Sequence, residues 1–150
     1  MQIQDLLKLL NEKQAEYIVI GAQACAAHGY VRATDDIDIL IYPTERNIER
    51  VRSALEAFGY DTTDASLEDF QQRKILFRQY WFDVDIHPFA TGVKTEEAFQ
   101  NRVEGIYEGI PTEFPSLEDL IKMKEAANRP KDQEDLLYLR EIQRQLKNKK

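Results

Sequence analysis

VIGAQACAAHGYVRATDDIDILI, running from Val19 to Ile41, is the stretch on which the fold turns. Tyr17 to Ile20 is a short β-branched run that reads as a strand and ends at Gly21. Ala22 to Ala27 is dominated by small residues and reads as a helix, because alanine costs least there, with Gly29 ending it. Asp36 to Ile41 alternates polar and apolar positions, the pattern of a strand with one covered face, and Pro43 stops it. Gly21 opens a helix directly after a strand, so the free N–H groups of the first turn would face an anion that a glycine lets approach closely. The same glycine also suits a plain packing role. Neither a dinucleotide fingerprint nor a P-loop is present, since the further glycines and the Gly-Lys-Ser/Thr ending are missing. Asp36 and Asp38 are two apart on a strand, so they share a face while Ile37, Ile39 and Ile41 take the other. Such a pair is either a solvated outer face or a seat for a hard divalent cation such as Mg²⁺.

A second pair, Asp83 and Asp85 in FDVDIHP, repeats the pattern. If the two strands are neighbours, up to four carboxylates converge, as in two-metal phosphoryl-transfer sites. Crowded around an empty metal site, they should raise the pKa of at least one of their number. Arg32 and Thr34, just before the first pair, are placed to reach phosphates, and Arg32 equally to pair with Asp35 or Asp36. His28 reads as a helix-end residue, and His87 as a strand terminus before Pro88 that sits near enough to tune Asp85. Lys124, Arg129 and Lys131 bracket a break between the last two helices; they meet phosphate or base if that break folds over the cleft, and otherwise serve a helix end.

Working outward, Ile3, Leu6, Leu7 and Leu10 trace the stripe of a first helix ending near Lys13. Ile48, Val51, Ala54, Leu55 and Phe58 trace another over Glu45 to Phe58, closed by Gly59. Ile75 to Gln79 and Trp81 to His87 form a predicted hairpin, and Val103 to Phe114, broken at Glu108-Gly109, a second. Thr95 is placed to cap a helix of about two turns between them. Ser116-Leu-Glu-Asp119 is a capping-box variant starting a helix to about Ala127. A last helix from Lys131 is expected to send Leu136, Leu137, Leu139 and Ile142 to the core. The order predicts an α+β (mixed α/β) fold: a mixed β-sheet with helices packed on it and a C-terminal helical pair.

The chain has 150 residues, 43% of them hydrophobic and 31% charged, which suits one domain over residues 1–150. Neither a membrane span nor a leader is legible, so a cytoplasmic protein is expected. The single cysteine, Cys25, excludes an internal disulfide and any cysteine-cluster zinc site, and its alanine surroundings predict burial. A formal net charge of −7 disfavours non-specific DNA binding but tolerates a small anion bound through a metal.

Ile20-Gly21-Ala22, thirteen residues, Asp36-Ile37-Asp38-Ile39, and later Val84-Asp85-Ile86 resemble the nucleotidyltransferase superfamily of the DNA polymerase β type. Over about residues 5 to 140, AHGYVRATDDIDIL and the tail MKEAANRPKDQEDL further resemble small prokaryotic nucleotidyltransferase-like proteins related to the AbiEii toxin group. The resemblance implies a small nucleotidyltransferase fold with Gly21 and Ala22 under the triphosphate. It implies Asp36, Asp38 and Asp85 as catalytic residues and ligands of two Mg²⁺ ions, and Arg32, Thr34, Lys124, Arg129 and Lys131 toward the nucleotide. Asp83 competes for the third carboxylate, and the distance to Gly92-Val93 favours Asp85. The superfamily usually has Gly or Ser where this chain has Ala22, a departure that bears on catalysis more than on fold.

The expected activity is metal-dependent transfer of a nucleoside monophosphate from an NTP to a hydroxyl of a protein, a tRNA end or a small molecule. So short a chain suggests a homo-oligomer or a partner protein that completes the acceptor side. The rival readings are a catalytically silent nucleotide-binding or partner-binding module, as in a toxin-antitoxin pair, and a plain metal-binding structural domain.

Overall fold

The computed structural model describes residues 2–149. α1 (Ile3–Glu12) leads into β1 (Tyr17–Ile20), α2 (Ala22–Ala27), β2 (Asp36–Ile41) and α3 (Glu45–Phe58). These follow the sequence pattern, with Gly59 closing α3 in the left-handed region at φ 118°.

After α3 comes α4 (Leu67–Gln72), a helix the apolar periodicity does not show. Its origin is a reciprocal cap. Ser66 Oγ accepts from the Asp69 N–H and Asp69 Oδ2 accepts from the Ser66 N–H, both at 3.0 Å, and Phe70 anchors the helix in the core with Leu67 partly buried beside it. The tetrapeptide Ser-Leu-Glu-Asp is the one that recurs at residues 116–119.

β3 (Ile75–Phe77) and β4 (Asp83–His87) are both shorter than their predicted runs, with Arg78 to Phe82 forming the connection. α5 (Thr95–Gln100) starts with Thr95 inside the helix and Lys94 at its cap; the Thr95 hydroxyl instead donates to the Pro88 carbonyl at 3.3 Å. The hairpin β5 (Val103–Tyr107) and β6 (Ile110–Phe114) turns at Glu108 and Gly109, both with positive φ. α6 (Leu117–Ala127) and α7 (Pro130–Asn148) form the C-terminal pair, with proline at the first position of α7, where its missing N–H costs nothing.

The fold is the mixed α+β arrangement expected. One sheet runs β1-β2-β4-β3, with β1 antiparallel to β2, β2 parallel to β4 and β3 antiparallel to β4; β5 and β6 pair separately. Ile37, Ile39, Ile41, Val84 and Ile86 project into the main core with α1, α3 and α6. Ile18, Ile20 and Leu40 project the other way, against Val93, Phe99 and Met123. Each such side chain contributes about 1.5–3 kcal/mol on burial, so the isoleucines between the aspartates lock the register that aims the carboxylates. Cys25 is buried as expected.

α7 corrects the expected core. Leu136 and Leu139 are buried, but Leu137 is 71% exposed, and Asp132 and Asp135 take the remaining inward places. Among the described residues no helix is long and apolar enough to cross a membrane.

Candidate functional site

The parallel pairing of β2 and β4 sets Asp36 opposite Asp83 and Asp38 opposite Asp85. Alternation on each strand then puts all four carboxylates on one sheet face. His87, two residues beyond Asp85, joins that face, and its Nε2 lies 2.9 Å from Asp38 Oδ1. One donor atom each from Asp38, Asp85 and His87 falls within 4.8 Å of the others, a set able to hold a cation. Asp36 lines the same cleft but stands outside that cluster.

Gly21 closes the cleft from β1, at φ 77°. A Cβ on Gly21 would lie 2.6 Å from Asp38 Oδ2, so any side chain would drive the carboxylate out of place.

Cations bound the acidic edge. Arg78 Nη1 donates to Asp85 Oδ1 at 2.8 Å and its Nε lies 3.5 Å from Asp83 Oδ2, while Lys74 Nζ is 3.9 Å from Asp85 Oδ2. The Asp36 carboxyl is pushed up by its hydrogen bond with Asp35, by burial, and by the charges of Asp35, Asp38 and Asp83. Burial would push Asp38 up as well, but the hydrogen bond and charge of His87, with Lys74 and Lys131, outweigh it and hold Asp38 below the usual carboxylate range. The cost of crowding is therefore concentrated on Asp36.

The opposite wall is made by α6 and α7. Lys124 is buried and meets Asp132 Oδ1 at 3.3 Å and Asp135 Oδ2 at 3.0 Å. Arg129 Nε donates to Asp132 Oδ2 at 2.7 Å, and the Arg129 N–H adds a bond at 3.0 Å. Burial alone would raise Asp132; the Arg129 bonds and Lys124 bring it down to about 2. Arg32 donates to Asp135 through Nε and Nη2, at 3.0 and 3.2 Å, and not to Asp35 or Asp36.

Gly21, Asp36, Asp38, Asp85, Lys124, Arg129 and Lys131 thus line one cleft. Ala22, Arg32 and Thr34 do not: Ala22 is buried behind it, Arg32 is held by Asp135, and Thr34 Oγ1 accepts from the Asp36 N–H at 3.2 Å. Asp83 sits at the strand edge under Arg78, outside the lining, whereas Asp85 lies within it. His28 binds the Pro115 carbonyl at 2.7 Å, a structural role. The sequence pattern alone gives too little weight to His87, Lys74, Arg78 and Asp132. For His87 the signal is present, since it continues the alternation of Asp83 and Asp85; for the others it lies in pairing across distant segments.

A family model described as a nucleotidyltransferase of unknown function (DUF6036) matches residues 1–144. Among solved structures, the crystal structure of ANT(2")-Ia in complex with adenylyl-2"-tobramycin is similar with a TM-score of 0.61 and 21% identity, over 91% of this chain and 84% of that one. The solution structure of the antibiotic-resistance factor ANT(2'')-Ia is similar with a TM-score of 0.58 and 20% identity, over 97% of this chain and 91% of that one. At such identities the likeness is one of fold. No curated protein matches the sequence.

Proposed function

The chain belongs to the nucleotidyltransferase family DUF6036, and from that premise we propose that it moves a nucleoside monophosphate from an NTP to an acceptor hydroxyl, releasing pyrophosphate. The observation that carries the reading is the β2–β4 register, which stands Asp38 beside Asp85 under Gly21 in one cleft. Asp36, Asp38 and Asp85 would hold the divalent cations; Mg²⁺ takes carboxylate and phosphate oxygens and, when bound, neutralises charge on the phosphates.

The chain's own residues supply positioning. Gly21, whose missing side chain admits the Asp38 carboxylate, keeps that carboxylate against the backbone that opens α2. Lys131, exposed on the far wall, and Arg129, whose side chain is 59% exposed, offer cations to the departing pyrophosphate. Asp85 accepts the proton of the acceptor hydroxyl as its oxygen attacks the α-phosphorus and the bond to the β-phosphate oxygen breaks. Phe89, 58% exposed at the cleft, gives a flat apolar surface for a base or acceptor ring.

Two observations favour a second reading, a nucleotide-binding or partner-binding module without turnover. Arg78 and Lys74 already answer the charge of Asp85, and Ala22 supplies no hydroxyl to phosphate. Incubation with α-labelled NTP and Mg²⁺ in the presence of an RNA 3′ end, a protein mixture or a hydroxyl-rich small molecule separates the two. Tobramycin belongs among the small molecules, because the structurally similar ANT(2")-Ia is complexed with its adenylyl derivative. Label should pass to one acceptor class with the native chain and to none with Asp38→Asn. Nucleotide that binds tightly yet never transfers its label would favour the silent module.

A further inference from the structure

We infer that His87 is a direct ligand of the ion at the carboxylate edge, making a mixed nitrogen and oxygen site that favours Mn²⁺ over Mg²⁺. The inference rests on the metal-dependent reading above and specifies it. β4 sends Asp85 and His87 out of one face, and the parallel register brings Asp38 alongside. His87 Nε2 and Asp38 Oδ1 are 2.9 Å apart, and the donor atoms of Asp38, Asp85 and His87 lie within 4.8 Å. Two donors that share an octahedral ion at bonds of about 2.1 Å stand about 3 Å apart. The separation that now serves a hydrogen bond therefore serves a shared ion equally, with the imidazole proton moved to Nδ1 and the Nε2 lone pair turned to the ion.

The preference for metal follows from the donors. Mg²⁺ takes oxygen ligands and gives up water reluctantly, whereas imidazole suits the transition ions of the first row. Asp36 stands outside the cluster, so the side chains that close on one ion are two carboxylates and one imidazole. The fold also holds His87 in place for ligation, since its side chain is only 20% exposed, at the end of a strand whose Val84 and Ile86 are locked in the core. Were His87 only a hydrogen-bond donor to Asp38, the ion would have an all-oxygen shell and no nitrogen would reach it.

Pulsed electron paramagnetic resonance of Mn²⁺ bound to the full chain tests this directly. The native chain should show the ¹⁴N coupling of a bound imidazole, and His87→Gln, which retains a donor toward Asp38, should lose it. In calorimetric titrations the variant should lose more than about tenfold in Mn²⁺ affinity, the low end of what even an outer partner is worth, and distinctly less in Mg²⁺ affinity. Bound Mn²⁺ without nitrogen coupling, or equal losses for both ions, would overturn the assignment while leaving metal-dependent transfer standing. If neither ion binds the native chain, with or without NTP, the metal-dependent reading falls and the ligand assignment with it.

Discussion

Two groups of aspartates face one another across the cleft, and their charges are answered in different ways. On the α7 wall, Asp132 and Asp135 have side chains 0% and 2% exposed, and both meet the buried ammonium of Lys124, with Arg129 added from the rim for the first and Arg32 for the second. On the β2–β4 edge, Asp38 leans on an imidazole, and Asp83 and Asp85 lean on Arg78, whose side chain is 44% exposed. A carboxylate cancelled inside the fold is part of its architecture, because removing one partner strands a buried charge. One cancelled by a titratable ring or an exposed, flexible cation can exchange that partner for a ligand.

The contrast is sharpest in a pair of isosteric substitutions. Asp38→Asn should lower transfer at least about a thousandfold, about 4 kcal/mol of transition-state stabilisation, while urea unfolding moves by no more than about 1 kcal/mol. Asp132→Asn should do the reverse in kind, costing about 1.5–3 kcal/mol of folding stability because Lys124 and Arg129 lose an ionised acceptor, while Lys124 keeps Asp135. An Asp132 variant of native stability, or an Asp38 variant that unfolds, would erase the distinction between the two walls.

Acid offers a smaller effect. Asp132 titrates at about 2 in the folded chain against 3.8 ordinarily. Because the folded value is the lower one, its ionisation contributes about 2 kcal/mol above roughly pH 4, and that contribution is lost as the pH falls toward 2. Stability followed by denaturant titration between pH 5 and 2 should fall more steeply in the native chain than in Asp132→Asn. Equal slopes would mean that α7 does not depend on this carboxylate.

The mildest effect belongs to Asp36. Its pKa is raised, so its ionised form opposes folding at neutral pH and ceases to do so as it protonates in acid. Asp36→Asn should therefore raise the melting temperature of the metal-free chain at pH 7, with the difference fading as the pH drops. A lowered melting temperature would make Asp36 a structural acceptor, unlike its neighbours on the edge.

Much of this is legible in the sequence where the signal is local. The alternation of aspartate with isoleucine gives the strands and the shared face of the carboxylates, and Gly21 gives the turn. The parallel neighbourhood of β2 and β4 joins segments more than forty residues apart, so the sequence poses it only as a condition. α4 escapes the periodicity because a six-residue helix with Phe70 buried and Leu67 partly so is too short to show a stripe, although its cap repeats the Ser-Leu-Glu-Asp read at residue 116. In α7 the leucines draw attention from the true inward stripe of Asp132, Asp135, Leu136 and Leu139, whose spacing is helical but whose first members are charged. Their burial makes sense only beside Lys124 and Arg32, the latter 103 residues away.

Calorimetric binding of a non-hydrolysable NTP, with and without divalent metal, puts the exchangeable character of the β2–β4 edge to the question with no acceptor needed. The native chain should bind the nucleotide only when the metal is present, Asp132→Ala at a temperature where it remains folded should still bind it, and Asp38→Asn should not bind it at all. Nucleotide binding that survives Asp38→Asn unchanged, or that is indifferent to metal in the native chain, would contradict the assignment of this edge to metal and phosphate.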